Sequence, residues 1–173
     1  MEEDRTDLPP PSYHFMAFLR QNGFPSPLLD WSRSFYIAGF FAFRDAHEAK
    51  SKEVAIYAFL DRVGTEKTGS LQEPRITALG RWIGTDKKHF LQQSEYTVCR
   101  KKTEQGIVYT KHEQVFGANP RTGGQDMLTK FLLPASERDK VMKKSKEMNI
   151  NAYSLFESTE ALLSLLAEEV LRS

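Results

Sequence analysis

Residues 21–32 read Gln21-Asn22-Gly23-Phe24-Pro25-Ser26-Pro27-Leu28-Leu29-Asp30-Trp31-Ser32. Pro25 and Pro27 keep this stretch out of a helix, because each lacks a backbone N–H and restricts the residue before it. It therefore works as a corner between two helices. Upstream, Phe15, Phe18 and Leu19 recur at i, i+3 and i+4, which predicts a helix over 12–22. Gly23 falls where a helix exit calls for a left-handed residue. Downstream, 35–43 is apolar almost all round and rich in phenylalanine. That pattern predicts a helix from Ser32 or Ser34 to about Lys50, buried on most sides. Asp30 or Ser32 is expected to cap its free N–H groups.

Further along, Val54 to Leu60 reads as a strand. A polar stretch over 61–88 holds four glycines and one proline. Loops that long in a compact domain are functional or disordered. Ser94 to Arg100 and Gly106 to Phe116 read as an antiparallel pair, turned by the charged segment Lys101 to Gln105. Asn119 to Gly124 is a second turn, and Lys130 to Leu133 a short strand ended by Pro134. Ser136, with Asp139 three residues on, is expected to cap a helix whose inner face is Val141, Met142, Ser145 and Met148. Ser154 and Glu157 repeat that spacing before a last helix, whose stripe of Leu162, Leu163, Leu166, Val170 and Leu171 is expected in the core. The fold class is α+β: N-terminal helices, a small antiparallel sheet and two C-terminal helices. They form a single domain over 12–173, preceded by a proline-rich segment, 1–11, expected to be disordered.

The bulk numbers exclude several classes. The 173 residues are 40% hydrophobic and 27% charged, an ordinary globular balance. A net charge of +1 argues against nucleic-acid binding by bulk charge. Arg100, Lys101, Lys102 and Lys111 are interspersed with glutamates and read as a solvated surface. One cysteine, Cys99, rules out an internal disulfide. No Cys/His cluster has metal-ligand spacing, so no metal is expected. Cys99 itself reads as a small core residue. The start is not a basic-then-apolar leader, and the longest apolar run, Phe35 to Phe43, is too short to span a bilayer. The expectation is a cytoplasmic protein with no membrane contact. Oligomeric state is not set by any of these features.

The corner carries a resemblance. Gln21, Gly23, Pro25, Leu28, Leu29, Asp30 and Trp31, followed by Gly39-Phe40-Phe41-Ala42-Phe43, resemble the pattern of the FRG-domain family. Asn22 stands where the family has His, and Ser26 and Ser32 stand for Thr. His89-Phe90-Leu91-Gln92-Gln93-Ser94-Glu95-Tyr96-Thr97 is similar, more loosely, to a later Gln-Gln-Gly region of the family. The family's own Phe/Tyr-Arg-Gly motif resembles the arginine strand with which ADP-ribosyltransferases grip NAD. This chain lacks that motif, as a natural short form or a fragment starting mid-domain would.

The resemblance implies a nucleotide-handling effector of the toxin or phage-defence type, with NAD as the cofactor it suggests. Gln21, Asp30 and His89 would line the ligand. Gln93-Ser94-Glu95 reads as a Gln-x-Glu tripeptide, in which Glu95 would hydrogen-bond the ribose 2-hydroxyl and stabilise an oxocarbenium-like transition state. The plainer readings stand beside these: Glu95 as an exposed strand-end carboxylate, His89 as a solvated loop residue. The alternative to an enzyme is a non-catalytic module that binds a protein partner, and the missing arginine favours it.

Overall fold

The computed structural model describes residues 11–44, 46, 52–61, 72–80, 83, 87–116 and 126–171. The segment expected to be disordered, apart from Pro11, lies outside them, as do the turn at Asn119 to Gly124 and most of the expected helix tail beyond Arg44. The fold is a mixed α+β one. In chain order come α1 (Pro11–Gln21), β1 (Leu28–Ser32), α2 (Phe35–Arg44), β2 (Glu53–Leu60), β3 (Arg75–Ala78), α3 (Lys87–Leu91), β4 (Ser94–Thr103), β5 (Gly106–Tyr109), α4 (Glu113–Phe116) and β6 (Met127–Pro134). A 3-10 turn (Ala135–Glu137) then leads into α5 (Arg138–Glu147), α6 (Ala152–Phe156) and α7 (Thr159–Leu171).

The strands form two sheets. One has the order β1-β4-β3, with β5 also paired to β4, and the other joins β2 to β6. β3 and β5 both run antiparallel to β4, and Arg100 faces Arg75 on one side and Tyr109 on the other. They therefore flank β4 on opposite edges. The antiparallel pair expected from the sequence is present, but its turn is narrower, and its second strand, expected to reach Phe116, ends at Tyr109, with Glu113–Phe116 forming α4. Lys101 and Lys102 still belong to the β4 ladder, and only Glu104 and Gln105 turn. The polar stretch over 61–88 also hides β3 and the start of α3. Arg-Ile-Thr-Ala is too short to show a period.

The chain divides into two compact units built from interleaved stretches. The first comprises Met1–Trp31, Phe59–Asp86 and Glu95–Thr129. Its centre is β4, apolar on both faces. Tyr96 and Val98 pack with Tyr13 and Ala17 of α1 and with Leu28, Leu79 and Ile83. Cys99 packs the other way with Ile76 and Val115, against Phe59 and Phe116. Each such side chain taken out of water stabilises by roughly 1.5–3 kcal/mol. α1 ends as the sequence predicts. Gly23 has φ +79, its N–H reaches Arg20 O at 3.1 Å, and Phe24 N–H reaches Leu19 O at 2.9 Å. Those two bonds are the paired closure of a Schellman motif.

The second unit comprises Ser32–Ala58, Lys87–Ser94 and Lys130–Ser173. Ile37 and Phe40 of α2 pack with Leu155 of α6, against Met142, Ile150 and Phe156. The Arg44 guanidinium lies over Phe41 and Phe156, 5.8 and 5.7 Å from their ring centres. Several expectations are corrected here. α2 is amphipathic rather than buried all round, with Phe35 63% and Tyr36 59% exposed. Its cap is Ser34, whose Oγ accepts from Ile37 N–H at 3.3 Å. Asp30 is two strand positions too early to reach it.

Ser136 caps nothing. The 3-10 turn precedes α5, and the cap position falls on Glu137, which makes no side-chain cap bond. Asn151, not Ser154, opens α6, and Ser154 is the reciprocal partner in its capping box. The α7 stripe is not core. Leu162, Leu163, Leu166 and Val170 are all exposed, and among the α7 residues whose burial is described only Ala161 is buried. α7 lies beside α6 while its leucines turn outward. An apolar stripe records what a helix is able to bury, and here the chain supplies no described cover for it.

Candidate functional site

The candidate site lies on the first unit's sheet, where β1 runs beside β4. The two strands are cross-linked by side chains. Trp31 Nε1 donates to Thr97 Oγ1 at 2.9 Å, and the same hydroxyl lies 3.0 Å from His112 Nε2. The indole can only donate, so the Thr97 hydroxyl accepts from it, and the role of His112 Nε2 in the second contact follows the tautomer of the ring. Burial lowers the His112 pKa, with Glu113 and the backbone contact to Thr97 opposing it. The neutral ring is thus the favoured form at pH 7. Trp31 also stacks on Phe59, with ring centres 5.3 Å apart and planes 26° from parallel.

Successive strand residues point to opposite faces. Glu95, Thr97 and Cys99 share the face that carries Trp31 and His112, and Glu95 is half-buried at the start of β4. It is less open than the exposed strand-end carboxylate that composition favours. The Cys99 thiol is fully buried, and burial with the Glu113 charge pushes its pKa up. It is a core residue and not a nucleophile.

The other face of the same sheet holds Gln21 and Asp30. Gln21 Nε2 donates to the hydroxyl of the buried Tyr96 at 2.8 Å. Arg20 Nε donates to Asp30 Oδ1 at 2.9 Å. Although the Asp30 side chain is 47% exposed, partial shielding from water raises its pKa, against the attraction and hydrogen bond of Arg20. Gln21 and Asp30 thus share one face, and alternation along β4 sends Glu95 to the opposite one.

Gln93 and His89 belong to the second unit. Gln93 ends α3 in the left-handed region, with φ 49. Its N–H donates to Phe90 O at 3.1 Å and its carbonyl accepts from Arg33 N–H at 3.0 Å. Ser32 Oγ holds the neighbouring Gln92 carbonyl at 2.9 Å. His89 is not in a solvated loop. It lies on α3, 4% exposed, with its ring edge-on to Phe90 at 5.0 Å. The run of lysines before it hides a helix whose inner face it occupies. Sequence reasoning passed over Thr97 and His112. The only signal for them was that Trp31 has an indole N–H that needs an acceptor once taken out of water.

Among the described residues, no group of three or more His, Cys, Asp or Glu is placed to hold a metal ion. No helix among them is long and apolar enough to cross a membrane.

Against this geometry the comparisons with known proteins can be set. The family model of the FRG domain matches residues 1–51, which take in α1, β1 and α2. That part of the chain carries the FRG-domain signature. No curated protein and no solved structure matches the chain significantly.

Proposed function

We propose that this chain is an FRG-type nucleotide-handling domain, with NAD as its ligand and Glu95 as its working carboxylate. One observation carries the reading. β1, inside the matched segment, is the sheet neighbour of β4, whose second residue is Glu95. Two stretches more than 60 residues apart, each resembling the family, thus become adjacent strands, locked by the Trp31–Thr97 hydrogen bond.

In an ADP-ribosyl transfer the bond between the ribose C1 and the nicotinamide nitrogen breaks, its electron pair leaving with nicotinamide, while a nucleophilic atom of the acceptor or of water bonds to C1 and gives up its proton. A carboxylate that accepts from the 2-hydroxyl stabilises the positive charge on the sugar. Glu95 is assigned that role, and an effector of the toxin or phage-defence type acting in the cytoplasm is the setting that goes with it. Nicotinamide release from NAD, followed by chromatography, tests the assignment. The intact protein should release it, and Glu95→Gln should not while remaining folded.

A second reading is favoured by a specific observation. Gln21 and Asp30 are already engaged by Tyr96 and Arg20, and the sequence contains no Phe/Tyr-Arg-Gly tripeptide. A non-catalytic module that binds a protein partner meets both facts, and it predicts no nicotinamide release from either protein.

A further inference from the structure

The first unit's sheet has an open edge at β5. Among the described residues, β5 pairs with β4 on one side and with no strand on the other. Thr110 N–H donates to Cys99 O at 3.0 Å, one step beyond the Arg100–Tyr109 pair of the same ladder. Hydrogen-bonded and non-bonded positions alternate along an antiparallel pair. Gly106, Val108 and Thr110 therefore turn their backbone groups toward β4, while Ile107 and Tyr109 turn theirs outward. The edge is apolar as well as open: Ile107 is 68%, Val108 36% and Tyr109 47% exposed. Proteins commonly protect an edge strand with a charge or a proline. Gly-Ile-Val-Tyr has neither, and only its length of 4 residues limits pairing. The Tyr109 ring is held toward α1, its hydroxyl 4.0 Å from Met16 Sδ. Exposed charges of opposite sign mark the two ends of the strand, Glu104 in the turn before it and Lys111 after it. Neither makes an ion pair among the described residues.

We propose that β5 is a self-association edge, pairing antiparallel with β5 of a second copy of this chain across a two-fold axis at Val108. A two-fold contact must be complementary to itself, and this strand is. With Val108 opposite the partner's Val108, Ile107 faces the partner's Tyr109 and Tyr109 faces the partner's Ile107. Both are outward-turned positions, so each pair exchanges both of its backbone hydrogen bonds. A slip of one residue would set outward groups against inward ones and lose those bonds. An aromatic ring opposite a β-branched side chain is a favourable cross-strand pair. The same axis brings the Glu104 end of one strand to the Lys111 end of the other. A second copy thus meets the backbone, the apolar surface and the charges of the edge together. The proposal does not depend on the nucleotide reading, since Glu95 lies at the other end of β4.

The test is sedimentation of the whole 173-residue protein across a concentration series, from about 10 μM to about 1 mM, the range in which a weak pair forms by mass action. The expected result is a reversible equilibrium between monomer and dimer. Ile107→Pro removes an outward N–H and no bond to β4, as proline on an edge strand does. It should raise the dissociation constant about tenfold or more. Val108→Lys and Val108→Glu each set like charges opposite one another at the axis, so each alone should stay monomeric. Their equimolar mixture should dimerise, because the opposed charges then attract. Circular dichroism checks the fold of every variant, and if Ile107→Pro does not fold the Val108 pair decides. A monomer at every concentration overturns the proposal and leaves the edge to an extended segment of another protein. Unchanged affinity in a folded Ile107→Pro overturns it too, as does a mixture that associates no better than either Val108 variant alone.

Discussion

Replacing Thr97 by valine probes the link between the two family-like strands with little change in shape. Thr97 is 2% exposed, and its hydroxyl joins Trp31 Nε1 at 2.9 Å to His112 Nε2 at 3.0 Å. Valine removes both bonds. Each costs about 1 kcal/mol net, and leaving the indole N–H without an acceptor adds about 1 kcal/mol more. The extra buried methyl returns about 0.8 kcal/mol. The expected loss is therefore about 2 kcal/mol. Urea unfolding followed by tryptophan fluorescence reads it directly. With a slope of about 2 kcal/mol per molar, the midpoint should fall by about 1 M. Trp31→Phe removes the donor but leaves a ring to stack on Phe59. In that background Thr97→Val should cost less by about 2 kcal/mol, because the indole bond and the penalty for its orphaned N–H are both already gone. Strict additivity of the two changes, or a midpoint that does not move, would refute the cross-strand bond.

Four other perturbations give clear signs. Burial lowers the His112 pKa from its ordinary 6.5, so the unfolded chain takes up the proton more readily. The stability it contributes is present above pH 6.5 and is lost as pH falls through its folded pKa, and His112→Gln should flatten that dependence in melting curves across the same range. Leu155→Ala should destabilise by about 2–5 kcal/mol, since Leu155 is 3% exposed in the α2–α6 core. Leu166→Ala, at 46% exposure, should change stability by no more than about 0.5 kcal/mol, and equal losses would mean that α7 is covered. Gly23→Ala meets no atom within 4 Å of the new Cβ, so its cost of about 1–2 kcal/mol comes from φ +79 alone.

The readable and unreadable parts of the fold differ in physical kind. The extent of α1 and its exit were legible because a 3-4 apolar spacing and a glycine at a left-handed position are local facts, but Phe15 and Phe18 of that spacing are exposed and the packed face is Tyr13, Met16 and Ala17. β2, and the pairing of β4 with the strand after it, were legible for the same reason. Caps were misread where two candidates stood close together. Asp30 and Ser32 both precede α2, but the bend at Arg33 puts the Ser34 oxygen, not theirs, at Ile37 N–H. α7 was misread because burial depends on a neighbour that its own residues do not encode. The site shows the same limit. Gln21, Asp30 and Glu95 were chosen from a linear motif, while alternation along a strand places Glu95 on the face away from the other two. Trp31, Thr97 and His112 meet only through a sheet pairing, which no local pattern announces.

The measurement that bears most directly on the nucleotide reading is a thermal-shift titration of the 173-residue protein with NAD, ADP-ribose and ATP. At a ligand concentration 100 times its dissociation constant, a native-state site gains about 2.7 kcal/mol. For a domain of this size that is a rise of roughly 5–11 °C. The account predicts such a rise with NAD or ADP-ribose and its loss in Glu95→Gln. A melting temperature unmoved by all three at millimolar concentration would contradict it, and would leave docking to a protein partner as the function of this chain.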